Sequence, residues 1–75
     1  MERADLFRIA LAVKSARINE RYTIARFCDE HDVSKTFFYE ILDGRGTSAR
    51  ITRAIDDFIK DNVGPFRGQL ARVAA

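Results

Sequence analysis

Residues 23–43 read TIARFCDEHDVSKTFFYEILD, and this stretch decides the fold. Thr23 and Ser34 each stand before a run of apolar residues at helical spacing. Each offers a hydroxyl that can accept one of the backbone N–H groups left free in a first helical turn. Tyr22 with Phe27, and Val33 with Phe38, occupy the two positions of a hydrophobic staple, which fixes how the chain enters a helix. The stretch therefore reads as two short helices, 23–31 and 34–42, joined at Asp32 and Val33. On the first, Ile24, Phe27 and Cys28 face inward and Arg26, Asp29 and Glu30 outward. On the second, Phe38, Ile41 and Leu42 face inward. Thr36, Tyr39, Glu40 and Asp43 share the opposite side, with Phe37 at the boundary. Gly44 ends the helix as a left-handed residue.

Outward from this pair, residues 2–17 read as a long helix. Leu6, Ile9, Ala10, Val13 and Ala16 fall on one face. Phe7, Leu11 and Ile18 make a second apolar stripe, and Arg8, Lys14 and Arg17 take what remains. A helix apolar around so much of its circumference is buried on two sides or shares a face with another chain. On the other flank, Thr47 or Ser48 caps a helix over 48–61. Its apolar face is Ile51, Ala54, Ile55, Phe58 and Ile59, and Asp56 and Lys60 form an i,i+4 pair. Asn62, Gly64 and Pro65 are read as its stop. The remaining residues, 65–75, form an arm with Phe66, Leu70 and Val73 at helical spacing. The expected fold is all-α, a single domain over 1–75, a compact bundle of four to five helices with no strand.

The chain has 75 residues, and a chain of that length buries only about 60% of its unfolded surface. A second subunit is a common remedy, so a homodimer is expected, through Phe66, Leu70 and Val73 of the arm, through Phe7 and Leu11 of the first helix, or both. No apolar run approaches the roughly 20 residues of a membrane span, and the charges inside the apolar N-terminal stretch are unlike a signal peptide. A single cysteine, Cys28, excludes an internal disulfide and fits a cytoplasmic setting. The net charge is only +2. Residues 21–43 carry three basic and five acidic side chains, residues 44–75 six and three.

Enzymatic chemistry has little to stand on. Cys28 and His31, three residues apart, lack an orienting third group and an oxyanion site. Two such side chains are also too few for structural zinc. Gly44-Arg45-Gly46 follows a helix rather than a strand and is no phosphate loop. Neither metal, cofactor nor small-molecule ligand is expected.

Two helices at a steep angle need a small residue where they approach, an apolar residue in the turn and apolar residues pointing back from the second helix. Cys28, Val33, Phe38 and Ile41 supply these, the offsets of a helix-turn-helix, whose second helix presents its leading side chains to base edges. FCDEHDVSKTFFYEIL, Gly44 and the following TSARITRAIDDFI resemble the lambda-repressor-like helix-turn-helix domains of phage and bacterial regulators. FCDEHDVSKTFFY is also similar to small phage excisionases. The resemblance covers residues 22–60. The chain departs from the pattern at Asp32, where glycine is frequent, so Asp32 is expected to adopt φ > 0. It departs again at His31, where an aliphatic residue is usual.

The resemblance implies double-stranded DNA as the partner and Ser34, Lys35, Thr36, Tyr39 and Glu40 as the base-facing set. Lys35 can donate to guanine O6 and N7, Thr36 can meet a thymine methyl, and Glu40 can accept from cytosine N4. Tyr39 can bond a phosphate. Ser34 is a cap alone or a cap beside a phosphate. Arg21, Arg26, Arg45, Arg50 and Arg53 are the candidate phosphate contacts, or else a solvated surface. The implied function is a transcriptional regulator, a repressor acting as a dimer on a palindromic operator. The alternatives are an architectural protein of the excisionase type and a small helical protein-interaction module.

Overall fold

A computed structural model describes residues 2–64, and the arm residues Phe66, Leu70 and Val73 lie outside them. Four helices follow one another: α1 (Arg3–Ile18), α2 (Ile24–Glu30), α3 (Lys35–Leu42) and α4 (Ala49–Val63). No strand occurs among the described residues. Three helices start on a hydroxyl cap. Thr23 Oγ1 accepts from the Arg26 N–H at 3.2 Å, Ser34 Oγ from Phe37 at 3.2 Å and Ser48 Oγ from Ile51 at 3.3 Å.

Three helices also end alike. A residue with positive φ follows each of α1, α2 and α3: Asn19 (54°), Asp32 (52°) and Gly44 (83°). In each case that residue and the next donate N–H groups back into the last turn. Asn19 and Glu20 bond to Ala16 O and Ser15 O, Asp32 and Val33 to Asp29 O and Cys28 O, and Gly44 and Arg45 to Ile41 O and Glu40 O. This is the Schellman arrangement, in which a left-handed residue turns the chain while satisfying the free carbonyls. Asn and Asp hold the position without glycine because their short polar side chains tolerate it better than most.

Each helix sends one phenylalanine to the centre: Phe7, Phe27, Phe38 and Phe58. Phe7 lies 5.0 Å from Phe27, 5.2 Å from Phe38 and 5.1 Å from Phe58, ring centre to ring centre. Phe27 lies 5.6 Å from Phe38 and 5.3 Å from Phe58. Ala10, Tyr22, Cys28, Ile41, Ile51, Ile55, Ile59 and Val63 complete the buried core.

This centre corrects the expected orientation of α1. Phe7 is fully buried and has no surface left to give to a second chain. Leu11 and Ile18 are half-buried against the same core. Both apolar stripes of α1 thus reach the core: Ala10 is fully buried and Leu6 and Ile9 pack against it beside Phe7, Leu11 and Ile18. Ala16, expected inside, is exposed.

The stop at Asn62 is also corrected. α4 runs on to Val63, and Asn62 is buried, 3% exposed. Its Nδ2 donates to Phe58 O at 2.9 Å, and its Oδ1 accepts from the Arg17 guanidinium at 2.9 Å. Arg17, expected in solvent, therefore ties the end of α1 to the end of α4. Asp56 pairs with Arg3 at 3.2 Å across the two helices rather than with Lys60 along one.

Candidate functional site

The exposed face of α3 is where the expected base-facing residues come together. Phe38 and Ile41 are buried and hold the helix against the centre. The Ser34 cap fixes its first turn. Lys35, Thr36 and Tyr39 are left exposed, and Glu40 is half-buried. Ser34 is itself exposed while its oxygen serves as the cap. Tyr39 is 44% exposed, its ring set edge-on against Phe38 at 5.7 Å.

Sequence reasoning left Phe37 at the boundary and out of the site. It is 37% exposed, and with Tyr39 it is one of two large apolar side chains open to solvent among the described residues. Its helical position, about a fifth of a turn from the middle of the buried Phe38–Ile41 side, puts it at the edge of the core and gave no clear signal of exposure.

Behind α3 the loop comes close. The Arg45 and Gly46 N–H groups both donate to Glu40 O, at 2.7 and 2.9 Å. A Cβ at Gly46 would stand 3.2 Å from Glu40 Cβ and from the Ile41 backbone nitrogen, so a larger residue here would need its neighbours to give by a few tenths of an ångström. Glycine here lets the chain pass against α3 and deliver Ser48 to the start of α4.

The five arginines divide. Arg50 reaches back from α4 and donates to His31 O at 2.5 Å and to Asp32 O at 3.5 Å, clamping the turn between α2 and α3. Arg53 is one turn further along α4, beside a shallow groove lined by His31, Ala54, Phe58 and Asp61. Arg45 is exposed and pairs with Asp43 at 3.1 Å. Arg21 is exposed in the segment between α1 and α2.

Arg26 is not free for phosphate. It pairs with Glu20 at 2.5 Å and Glu30 at 3.5 Å and lies over the Tyr22 ring. Its acid partners, the Glu20 hydrogen bond first, hold its proton more firmly than usual. The same network holds Glu30, whose carboxylate accepts from the Tyr22 hydroxyl at 2.6 Å. Burial, and then that bond, push the Tyr22 hydroxyl well above the usual tyrosine range.

Cys28 and His31 do not make a reactive pair. Cys28 is buried, and its thiol is pushed up by that burial and by Asp29. The His31 ring packs on Phe27 at 4.3 Å. Among the described residues no three His, Cys, Asp or Glu side chains gather as metal ligands. None of the described helices is long and apolar enough to cross a membrane.

No protein-family model matches the chain, and no curated protein or solved structure matches it either. The resemblance to lambda-repressor-like domains rests on the residue pattern alone.

Proposed function

We propose that the protein is a sequence-specific double-stranded DNA-binding transcriptional regulator, a repressor working as a dimer on a palindromic operator. α2, the turn at Asp32 and α3 act as its helix-turn-helix. The observation that carries this reading is the uncovered leading face of α3. Lys35 and Thr36 stand exposed on its first turn and Tyr39 one turn on, while the other side of the same helix is locked into the core. A helix held from behind, with polar donors and acceptors at its free N-terminal end, suits the major groove. Lys35 is the guanine donor, Thr36 the thymine contact and Glu40 the cytosine acceptor. Arg45, Arg50 and Arg53 supply the phosphate contacts.

The charge available is small. Arg45, Arg50 and Arg53 give about three phosphate contacts per subunit, and so a salt slope of about −2.7 per subunit at roughly 0.9 per contact. The deciding experiment is selection of duplexes from a random pool, together with the DNA upstream of the protein's own gene, at two salt concentrations. Lys35→Ala should cost about 1–3 kcal/mol on the selected site if it holds a bidentate guanine contact. Alanine at Lys35, Thr36, Tyr39 and Glu40 together, with fold and full affinity kept, removes α3 as the reader.

A second reading has one observation in its favour. Phe37 and Tyr39 place two aromatic rings on the same helix, which is the composition of a protein-binding surface. Failure to enrich any duplex at low salt selects this reading over the first.

A further inference from the structure

We propose that the shallow groove along α4 seats this chain's own segment 65–75, folded back antiparallel to the helix. Phe58 and Ala54, both half-buried, give the groove an apolar floor, and His31 lines it from the end of α2. Asp57 and Asp61 line it as well. They stand one helical turn apart on the same flank. Both are exposed, and among the described residues neither carboxylate has a cationic partner. An apolar floor beside two open carboxylates suits a segment that alternates apolar and cationic side chains.

The sequence of residues 65–75, PFRGQLARVAA, has that character, with two arginines and no acid. Its order also matches. From the carboxyl end of α4 the groove presents Asp61, Phe58, Asp57 and Ala54, and then Arg53. From its start the segment presents Arg67, Leu70, Arg72 and Val73, and then only alanine. Running back along α4, Arg67 meets Asp61, Leu70 meets Phe58, Arg72 meets Asp57 and Val73 meets Ala54. The uncharged last residues meet Arg53. Arg50, at the same end, is already held by the carbonyls of His31 and Asp32.

The reach is sufficient. Asp61 to Arg53 is eight residues of helix, about 12 Å at 1.5 Å per residue. The segment spans up to about 36 Å at roughly 3.3 Å per residue, so it can turn and still cover the groove. Pro65 and Gly68 are residues that favour such a turn. The segment leaves α4 only three residues beyond Asp61, so tethering holds it near the groove at an effective concentration in the millimolar range. That favours the chain's own segment over a second copy's. The other groove on α4, between it and α1, is lined by Arg3 and Lys60 beside Asp56 and Asp57, and Arg3 already pairs with Asp56. A segment with two arginines is repelled there.

The docking does not rest on the DNA reading, and it leaves the dimer of that reading to other surfaces. The test is a nitroxide label on the full chain without DNA, read by the broadening of backbone amide signals. The label goes on Arg53→Cys, at the rim of the groove, since the native Cys28 is buried. It should more than halve the signals of residues 70–73. The same label on Ala12→Cys, exposed on the outer side of α1, should leave them near full height. Joint replacement Asp57→Lys and Asp61→Lys, on exposed positions, should restore the broadened signals, and so should Leu70→Ser. No broadening from the groove label overturns the proposal. So does broadening that survives both sets of replacements. A mixture of nitroxide-bearing chains with separate isotope-labelled chains decides the occupant: signals broadened there belong to a second copy's segment and equally overturn it.

Discussion

Phe7→Ala should unfold the protein rather than dissociate it. The ring is fully buried and within about 5 Å, centre to centre, of three other phenylalanines, one from each remaining helix. Truncating such a residue costs about 3–5 kcal/mol, part as lost transfer energy and part as the cavity left behind. A domain of this length holds on the order of 4–11 kcal/mol in total, at about 0.05–0.15 kcal/mol per residue. The substitution therefore removes between about a quarter and all of the stability. With a urea slope of about 1 kcal/mol per molar, the midpoint should fall by about 3 M or more, or the variant should have no folded baseline. Urea titration followed by circular dichroism reads this directly, with sedimentation run beside it. A variant that loses less than about 1 kcal/mol and becomes monomeric would show that Phe7 serves an interface, and the placement of α1 would be wrong.

Asp32→Gly should raise stability by about 1 kcal/mol, because glycine takes the positive φ without strain; a thermal melt lowered instead would mean that the Asp side chain secures the turn. The opposite change, Gly44→Ala, meets no atom within 4 Å and should still cost about 1–2 kcal/mol from backbone strain alone, which equilibrium unfolding measures. Arg50→Ala should weaken every duplex alike, and it should also speed amide exchange at Val33 by loosening the turn that Arg50 clamps. An Arg50 that met only phosphate would leave that exchange unchanged. Cys28 should react with a thiol reagent at pH 8 orders of magnitude more slowly in the native protein than in urea, since burial both hides it and keeps it protonated. Equal rates in the two states would contradict its place in the core.

The helix ends were legible because their chemistry is local. Thr23 and Ser34 cap the next turn from the chain itself, and Asp32 takes positive φ from its own position after α2. The phase of α1 was not legible. Leu6, Ile9 and Ala10 go inward together with Phe7, Leu11 and Ile18, and only the room at the centre shows that both stripes are covered within one chain. Arg26 looked like a free cation because Glu20, its nearest partner, lies outside its helix. Asn62 looked like a helix stop, being followed by Gly64 and Pro65, until Arg17 supplied the partner that lets its amide be buried. Within the candidate site the outward order of Lys35, Thr36 and Tyr39 follows from periodicity, whereas the division of labour among the arginines is tertiary.

The four central rings have a kinetic meaning as well. Phe7 and Phe27 each touch the other three rings, and no helix keeps its ring covered once another leaves. A fragment of two helices would expose the aromatic surface that alone makes the short α2 and α3 worth forming, since helices of seven and eight residues do not persist in water by themselves. Partly folded forms are thereby kept scarce. Amide protons in all four helices should exchange through one shared opening, with the same free energy from end to end of the chain described, and α3 should be as rigid as the core that carries it.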